Sequence, residues 1–140
     1  MRSIDNIKVF RVIDANFNRT KEALRVCEDV SRFVLDNKKE TAQYRRLRHE
    51  IEDLRSLLEK KKKGLAHARN IQMDVGKKDV PAEFKRCNVY DIFYANSQRI
   101  KESLRVLEEF SKLLNTKAAG QCKRIRYQIY ALEQKISEQL

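Results

Sequence analysis

The sequence predicts an all-α protein, specifically a four-helix bundle made of two duplicated antiparallel helical hairpins joined by a long crossover loop. Three observations predict this fold. Three glycines and one proline in 140 residues are too few turn residues for a sandwich, a barrel or a doubly wound sheet. Apolar residues recur at intervals of three and four along four long segments, which is the period of amphipathic helices. The first pair of segments is also repeated in the second half of the chain.

The repeat is clearest in two segments that lie 80 residues apart. Residues 15–34 read ANFNRTKEALRVCEDVSRFV and residues 95–114 read ANSQRIKESLRVLEEFSKLL, with ten of 20 positions identical. A fainter match aligns RLRHEI at 46–51 with RIRYQI at 124–129. One domain therefore contains a hairpin at about 3–63, a connection at about 64–83 and a second hairpin at about 84–140.

Each of the four predicted helices carries an apolar stripe that is expected to face a shared core. In the first helix the stripe comprises Phe10, Ile13, Phe17, Leu24, Cys27 and Val34, with Val26, Val30 and Phe33 beside it. In the third helix it comprises Phe93, Ile100, Leu104, Leu107 and Leu114, with Val106, Phe110 and Leu113 beside it. The second helix contributes Tyr44, Leu47, Ile51, Leu54 and Leu58, and the fourth contributes Cys122, Ile125, Ile129, Leu132 and Ile136. Short connections within each hairpin favour antiparallel neighbours.

Local signals mark the ends of these helices. Ser3 is predicted to cap the first helix, and Asn37 and Asn115 lie where short turns join the helices of each hairpin. Lys60–Lys63 followed by Gly64 is predicted to end the second helix, because cations favour the negative end of the helix dipole and glycine favours a left-handed cap. The following connection of about 20 residues is typical either of a binding loop or lid, or of a plain crossover linker.

Composition narrows the class of partner without choosing one. The net charge of +11 favours anions such as phosphates, nucleotides, nucleic acid or acidic lipids. The longest apolar runs span about four residues, so no membrane span is expected. The first residues contain no apolar signal segment, and the three cysteines have no paired spacing. We therefore expect reduced thiols and a cytoplasmic protein.

Polar residues interrupt the apolar face of the first and third helices in the same way. Asn16 and Arg19 do so in the first copy, and Asn96 and Arg99 do so in the second. In one interpretation these residues hold the hairpins in register through internal bonds, with Glu22 and Glu102 as partners. In the other, the two arginines form an anion pocket at the seam between the copies. In that second interpretation Arg46, Arg48, Arg124 and Arg126 extend the pocket. Alternatively, Arg45, Arg46 and Arg48 belong to a solvated face, as most charge runs do.

Other site chemistries are not supported. Two isolated histidines and scattered cysteines do not have the spacing of a zinc site, and the chain contains neither a P-loop nor a dinucleotide-binding glycine motif. No serine or cysteine lies in a nucleophile motif. The tyrosines and phenylalanines mostly follow the apolar stripes and do not form the aromatic platform of an RNA-binding domain.

Several motifs in fixed order resemble a known helical module. They are IDANFNRTKEALRVCE at 13–28, YRRLRHEI at 44–51, Arg69 followed by DVG at 74–76, ANSQRIKESLRVLEE at 95–109 and RYQIYALE at 126–133. The pattern resembles the hydroxymethylpyrimidine-phosphate kinase module that occurs alone or fused in front of bacterial thiamine phosphate synthases. Since 140 helical residues leave no room for the synthase barrel, synthase activity is not expected.

The resemblance implies ATP-dependent phosphoryl transfer to hydroxymethylpyrimidine phosphate, giving the diphosphate used in thiamine biosynthesis, with ATP and Mg²⁺ as cofactors. It implies catalytic roles for Arg19, Arg99 and Asp14, and Mg²⁺ ligation by Asp14, Glu22 and Asp74. The implied phosphate-binding residues are Asn16, Arg25, Arg46, Arg48, His49, Arg69, Asn96, Arg105 and Arg126.

A second interpretation is a non-catalytic basic helical module that docks onto a thiamine-pathway enzyme, such as thiamine phosphate synthase, or that binds nucleic acid. Nucleic-acid binding would be salt-sensitive and would show no preference among nucleotides. A docking module would pair its seam asparagines and arginines internally and would leave no concave pocket. Bundles with wide apolar faces often dimerise, so a homodimer is also left open.

Overall fold

The computed structural model describes residues 3–59 and 64–140. Five α-helices follow in chain order: α1 Ser3–Asp29, α2 Lys38–Leu58, α3 Gly64–Ala68, α4 Val89–Ser111 and α5 Thr116–Ser137. A π-helical turn at Val30–Val34 continues α1, and a short 3₁₀ helix at Pro81–Phe84 precedes α4. The described residues include no strand, so the all-α prediction is confirmed.

The four long helices pack side by side. Helix α1 contacts α2 and α4, and α5 contacts α4 and α2. Neighbouring helices run antiparallel, because a rising residue number on one helix meets a falling number on the next. The pairs that show this are Asp14–Arg55 and Glu28–Arg48 for α1–α2, Thr20–Ser103 and Cys27–Phe93 for α1–α4, Lys101–Glu133 and Glu108–Arg126 for α4–α5, and Asn37–Gln139 and Glu50–Arg124 for α2–α5. None of the described helices is both long enough and apolar enough to cross a bilayer.

The predicted stripes supply most of the core. Its fully buried large side chains are Ile13, Phe17, Leu24, Tyr44, Leu47, Ile51, Leu54, Leu65, Phe93, Ile100, Leu104 and Leu107. Helix α5 contributes Cys122, Ile125, Ile129, Leu132 and Ile136, as predicted. Leu65 lies in α3 within the predicted connection and is buried against the rest of the core.

The end of α1 departs from the predicted stripe. Phe33 and Val34 are exposed because α1 ends in the π-helical turn, where the amide of Leu35 donates to the carbonyl of Val30 five residues earlier at 3.1 Å. A π-helix has more residues per turn than an α-helix, so Phe33 and Val34, within the π-helical turn, are rotated away from the core. Leu113 is also exposed since α4 ends at Ser111, two residues earlier.

The helix termini confirm the turns predicted at Asn37 and Asn115, where both residues are also N-caps, but not the caps predicted at Ser3 and Gly64. Asn37 caps α2 by accepting a hydrogen bond from the amide of Glu40 at 3.0 Å, and Asn115 caps α5. Ser3 is the first residue of α1 rather than the residue before it. Gly64 begins α3 instead of ending α2, and no described glycine has a positive φ. The predicted lysine cluster at 60–63 lies outside the described residues.

The cysteines provide a test of this core. Cys27 and Cys122 are buried and Cys87 is exposed, all as free thiols. Burial raises the pKa of Cys27, and burial raises the pKa of Cys122 to about 12. Because the thiolate is the reactive form, we expect one fast equivalent with a disulfide reagent at about pH 8 and three equivalents in denaturant. Cys87→Ser should remove the fast reaction, and a second fast thiol would contradict the packing.

Candidate functional site

Two adjoining cavities lie along the seam between α1 and α4, and together they are called the cleft. The larger cavity has a volume of about 530 Å³, and its lining comprises Lys8, Arg11, Val12, Ala15, Asn16, Arg19, Asp74 and Val106. The smaller cavity has a volume of about 270 Å³, and its lining comprises Asn16, Arg19, Arg99, Glu102, Ser103 and Val106. Asn16, Arg19 and Val106 therefore form a wall that both cavities share.

Helical spacing accounts for the basic wall of the cleft. Lys8, Arg11, Ala15 and Arg19 follow each other at intervals of three, four and four, so they line one face of α1. Behind this face, the buried hydroxyls of Thr20 and Ser103 lie 2.6 Å apart and join α1 to α4. That buried hydrogen bond fixes the helices against each other immediately next to Arg19.

The structure brings Arg19 and Arg99 together at the smaller cavity. Both side chains are exposed, although both residues interrupt the apolar face of their helices. Arg19 donates to Oδ1 of Asn16 at 3.4 Å, and Arg99 has no side-chain partner in the described part of the chain. Glu22 and Glu102 form no salt bridge with either arginine there, although the internal-pairing interpretation requires one. The guanidinium groups thus remain available to an anion.

The two seam asparagines have fixed amide groups. Nδ2 of Asn16 donates to the carbonyl of Val12 at 2.9 Å, and Nδ2 of Asn96 donates to the carbonyl of Ile92 at 2.8 Å. A carbonyl can only accept, so in each residue the amide nitrogen is the group held by this bond and Oδ1 is left to accept from another donor. Asn16 is buried and lines the cleft, while Asn96 lies one turn before Arg99 and is partly exposed.

Asp14 joins the connection between the repeats to α1. Its side chain is 3% exposed, and its two oxygens accept from Nε and Nη2 of Arg69 at 2.7 and 2.8 Å. These bonds raise the pKa of Arg69 above its ordinary value. Arg55 adds a longer contact of 3.4 Å. Because Arg69 already binds both oxygens, Asp14 does not provide the free carboxylate that its predicted catalytic and metal-binding roles need.

The acidic residues of the cleft allow only a simple cation site. Asp74 lines the larger cavity and also a small adjoining cavity of about 70 Å³ that contains Asp14 and Arg69. Glu22 is exposed and is not part of the cleft lining. In the described ranges, no three His, Cys, Asp or Glu side chains are grouped as a metal site. Glu102 is the carboxylate of the smaller cavity, beside Arg19 and Arg99, and Asp74 is the carboxylate of the larger one. A single carboxylate such as Asp74 matches Mg²⁺, which often uses one carboxylate beside water and phosphate oxygens.

Four predicted phosphate-binding arginines lie elsewhere, in two equivalent ion-pair clusters. In the first, Glu28 contacts Arg48 at 3.1 Å and Arg25 at 3.7 Å; in the second, Glu108 contacts Arg126 at 3.1 Å and Arg105 at 3.2 Å. Each glutamate follows the seam arginine of its repeat by nine residues, which is two and a half helical turns. The clusters therefore lie on the opposite side of α1 and α4 from the cleft.

Other residues shift the boundaries of the predicted site. Arg46 and His49 are exposed on α2 and do not line the cleft, whereas Arg69 lies beside it through Asp14. Lys8 and Arg11 line the cleft but were missed by the sequence analysis. Their three-and-four spacing with Arg19 was the signal that could have found them. Arg11 also donates to the carbonyl of Asn70 in the connection at 3.1 Å.

Comparison with known proteins agrees with this arrangement of motifs. Residues 11–135 match the ThiD2 family. The chain belongs to the ThiD2 family. The matched range spans every residue that lines the cleft except Lys8, which lies just before it.

This ThiD2 chain is also similar to longer proteins. It is 38% identical over 126 residues to a thiamine-phosphate synthase of Nostoc punctiforme, covering 89% of this chain and 34% of that protein. It is 36% identical over 139 residues to a thiamine-phosphate synthase of Synechocystis, covering 95% and 37%. The ThiD2 chain thus spans about a third of the length of these curated relatives. No solved structure matches it.

Proposed function

We propose that this ThiD2 chain is a phosphotransferase of thiamine biosynthesis, which transfers the γ-phosphoryl group of ATP to hydroxymethylpyrimidine phosphate. Membership of the ThiD2 family and similarity to thiamine-phosphate synthases support a role in this pathway. The observation that carries the proposed reaction is the pair of cavities that share Arg19.

Two phosphorylated substrates need two anion subsites that meet at one point. The larger cavity lies within the usual size range of small-molecule sites and contains Lys8, Arg11 and Arg19 against the single carboxylate of Asp74, which suits the triphosphate of ATP. The smaller cavity places Arg19 opposite Arg99, which suits the acceptor phosphate. The transferred group would then lie at the shared wall, next to Arg19.

The chemistry needs no general base. The acceptor is a phosphate monoester whose second pKa is near 6, so it is mostly a dianion at neutral pH. One of its oxygens attacks the γ-phosphorus and forms a new P–O bond, while the bond from that phosphorus to the β–γ bridging oxygen breaks. ADP leaves with the bridging oxygen and its electron pair, and the total charge stays at −6. Arg19 and Arg99 would hold the two phosphates in line and stabilise the spread negative charge.

Asp74 is the cleft residue that would hold Mg²⁺ with the nucleotide. Mg²⁺ held there would supply positive charge that neutralises the negative charge developing on the phosphates during transfer. Asp74 belongs to the exposed connection and lies in the larger cavity, where the triphosphate is placed. Asp14 would instead hold Arg69 against α1. Because Arg69 begins the connection that follows α3, the start of that connection would be held there as well.

The proposal includes an interpretation of the fold as a four-helix bundle of two duplicated hairpins, α1–α2 and α4–α5. The Glu28–Arg48 pair and the Glu108–Arg126 pair occupy equivalent positions in the two hairpins. A capping asparagine begins the second helix of each hairpin. In this interpretation Arg19 and Arg99 are equivalent residues of the two copies, which meet across an approximate two-fold axis.

A ³¹P NMR time course tests the reaction directly. Purified protein with Mg·ATP and hydroxymethylpyrimidine phosphate should produce a growing pair of diphosphate resonances with matching release of ADP. Omission of the protein, ATP or acceptor should abolish the signals. A folded protein that leaves both substrates intact would contradict the proposal and would favour a docking or binding module.

A further inference from the structure

We infer that Asn96 binds the ring of the acceptor substrate, accepting a hydrogen bond at Oδ1 from the exocyclic amino group of an aminopyrimidine monophosphate. The inference rests on the proposed function, and it places the two substrates at opposite ends of the α1–α4 seam. ATP would occupy the α1 end, and the pyrimidine would occupy the α4 end beyond Arg99.

The two equivalent seam asparagines differ in whether their amide oxygens already have a hydrogen-bond donor. Asn16 and Asn96 stand 80 residues apart at the same position of the duplicated segment, and both donate their amide N–H to the carbonyl four residues earlier. Oδ1 of Asn16 also accepts from Arg19. Oδ1 of Asn96 has no partner in residues 3–59 or 64–140. It is therefore an acceptor already held in position by the bond to Ile92, which reduces the entropy lost when a donor binds.

The two ends of the seam differ in charge at equivalent positions. The α1 end carries Lys8 and Arg11, whereas the equivalent positions of the second copy are Asn88 and Asp91. Asn88 and Asp91 are occupied in capping α4, because Asn88 accepts from the amide of Asp91 and Asp91 accepts from the amide of Cys87. This end, which has a carboxylate and no cation at these two positions, does not suit a triphosphate. It does suit an uncharged ring that carries N–H donors.

Three residues along α4 are spaced so that a ring and its phosphate can lie side by side on one face of the helix. Ile92, Asn96 and Arg99 follow each other at intervals of four and three, so they share a face of the helix. Ile92 is 37% exposed and offers apolar surface to a ring. Asn96 and Arg99 are separated by a rise of about 4.5 Å, which is comparable to the CH₂–O link between a pyrimidine ring and its phosphorus. A phosphate held by Arg99 would leave the ring beside Asn96.

The test combines a protein change with a substrate change. Wild type and Asn96→Ala are assayed with the aminopyrimidine monophosphate and with an analogue in which hydrogen replaces the amino group. Loss of one such hydrogen bond is expected to raise the acceptor KM of wild type about 10-fold. Asn96→Ala should show the same increase with the amino substrate, no further increase with the analogue, and an unchanged KM for ATP.

Lys8→Ala is the matched control at the other end of the seam. It should raise the KM for ATP and leave the discrimination between the two acceptors unchanged. If Asn96→Ala discriminates between the acceptors as strongly as wild type, the assignment is wrong while the proposed reaction stands. If wild type turns over neither acceptor, the proposed function fails and this assignment fails with it. Should Asn96→Ala not fold, equal KM values for the two acceptors in wild type would overturn the assignment.

Discussion

Arg19→Ala is expected to lower kcat for phosphoryl transfer about 1,000-fold or more, the range found when a transition-state arginine is removed from a phosphotransferase. Arg19 lies at the wall shared by both cavities, where negative charge would spread during the proposed transfer. Arg99→Ala should have a comparable effect through the acceptor phosphate. Quenched-flow or ³¹P assays with saturating substrates would measure kcat separately from binding.

The fold should tolerate both changes, which makes the result interpretable. Arg19 and Arg99 are exposed helical residues, and alanine favours the helix, so the free energy of unfolding should change by less than about 0.5 kcal/mol. Arg19→Lys should recover only part of the activity because an ammonium lacks the planar fork of a guanidinium. Arg32→Ala is the matched control. It removes one exposed arginine that does not line the cleft, and it should leave kcat nearly unchanged. Full activity in Arg19→Ala would contradict the cleft as the reaction site.

Sequence periodicity was sufficient to predict the four long helices, the short turns between α1 and α2 and between α4 and α5, and most of the core, but not α3. It assumes 3.6 residues per turn, so it failed at the π-turn, where Phe33 and Val34 leave the core. A π-turn has no composition that separates it from an ordinary helical turn at this position. The role of Gly64 was also predicted wrongly. A glycine after a run of lysines is typical of a helix end, but the same sequence also fits the start of a short new helix, which is where Gly64 lies.

The cleft was predictable where polar residues interrupt an apolar face, as Asn16, Arg19 and Arg99 do. Asn96 interrupts its helix in the same way but is not part of the cleft lining. The site was not predictable where the outcome depends on which helix lies opposite. Arg48 and Arg126 belong to motifs just as arginine-rich as that of Arg19, yet each meets a buried glutamate of a neighbouring helix. The face of a helix follows from its own sequence, whereas its partner follows from packing of the whole chain.

Those buried pairs lead to the largest expected effect on stability. Glu28 is 1% exposed and Arg48 is 20% exposed, so Arg48→Ala would leave a buried carboxylate without its closest cation. We expect the free energy of unfolding to fall by about 3 kcal/mol, the lower end of the cost of breaking a buried pair. Urea unfolding followed by circular dichroism would measure it. Arg126→Ala should have a somewhat smaller effect, because the side chain of Glu108 is 11% exposed.

The duplication supplies matched controls for this prediction. Arg25 and Arg105 contact the same two glutamates but are more than half exposed, so alanine at either position should cost less than about 1 kcal/mol. The cost in Arg48→Ala arises from the unpaired carboxylate rather than from the lost attraction. Replacing Glu28 and Arg48 together with leucine and methionine should therefore recover most of the stability. If Arg48→Ala and Arg25→Ala destabilise equally, burial of Glu28 does not control the cost, and the clusters would have to be reconsidered as solvent-exposed cations available to a ligand.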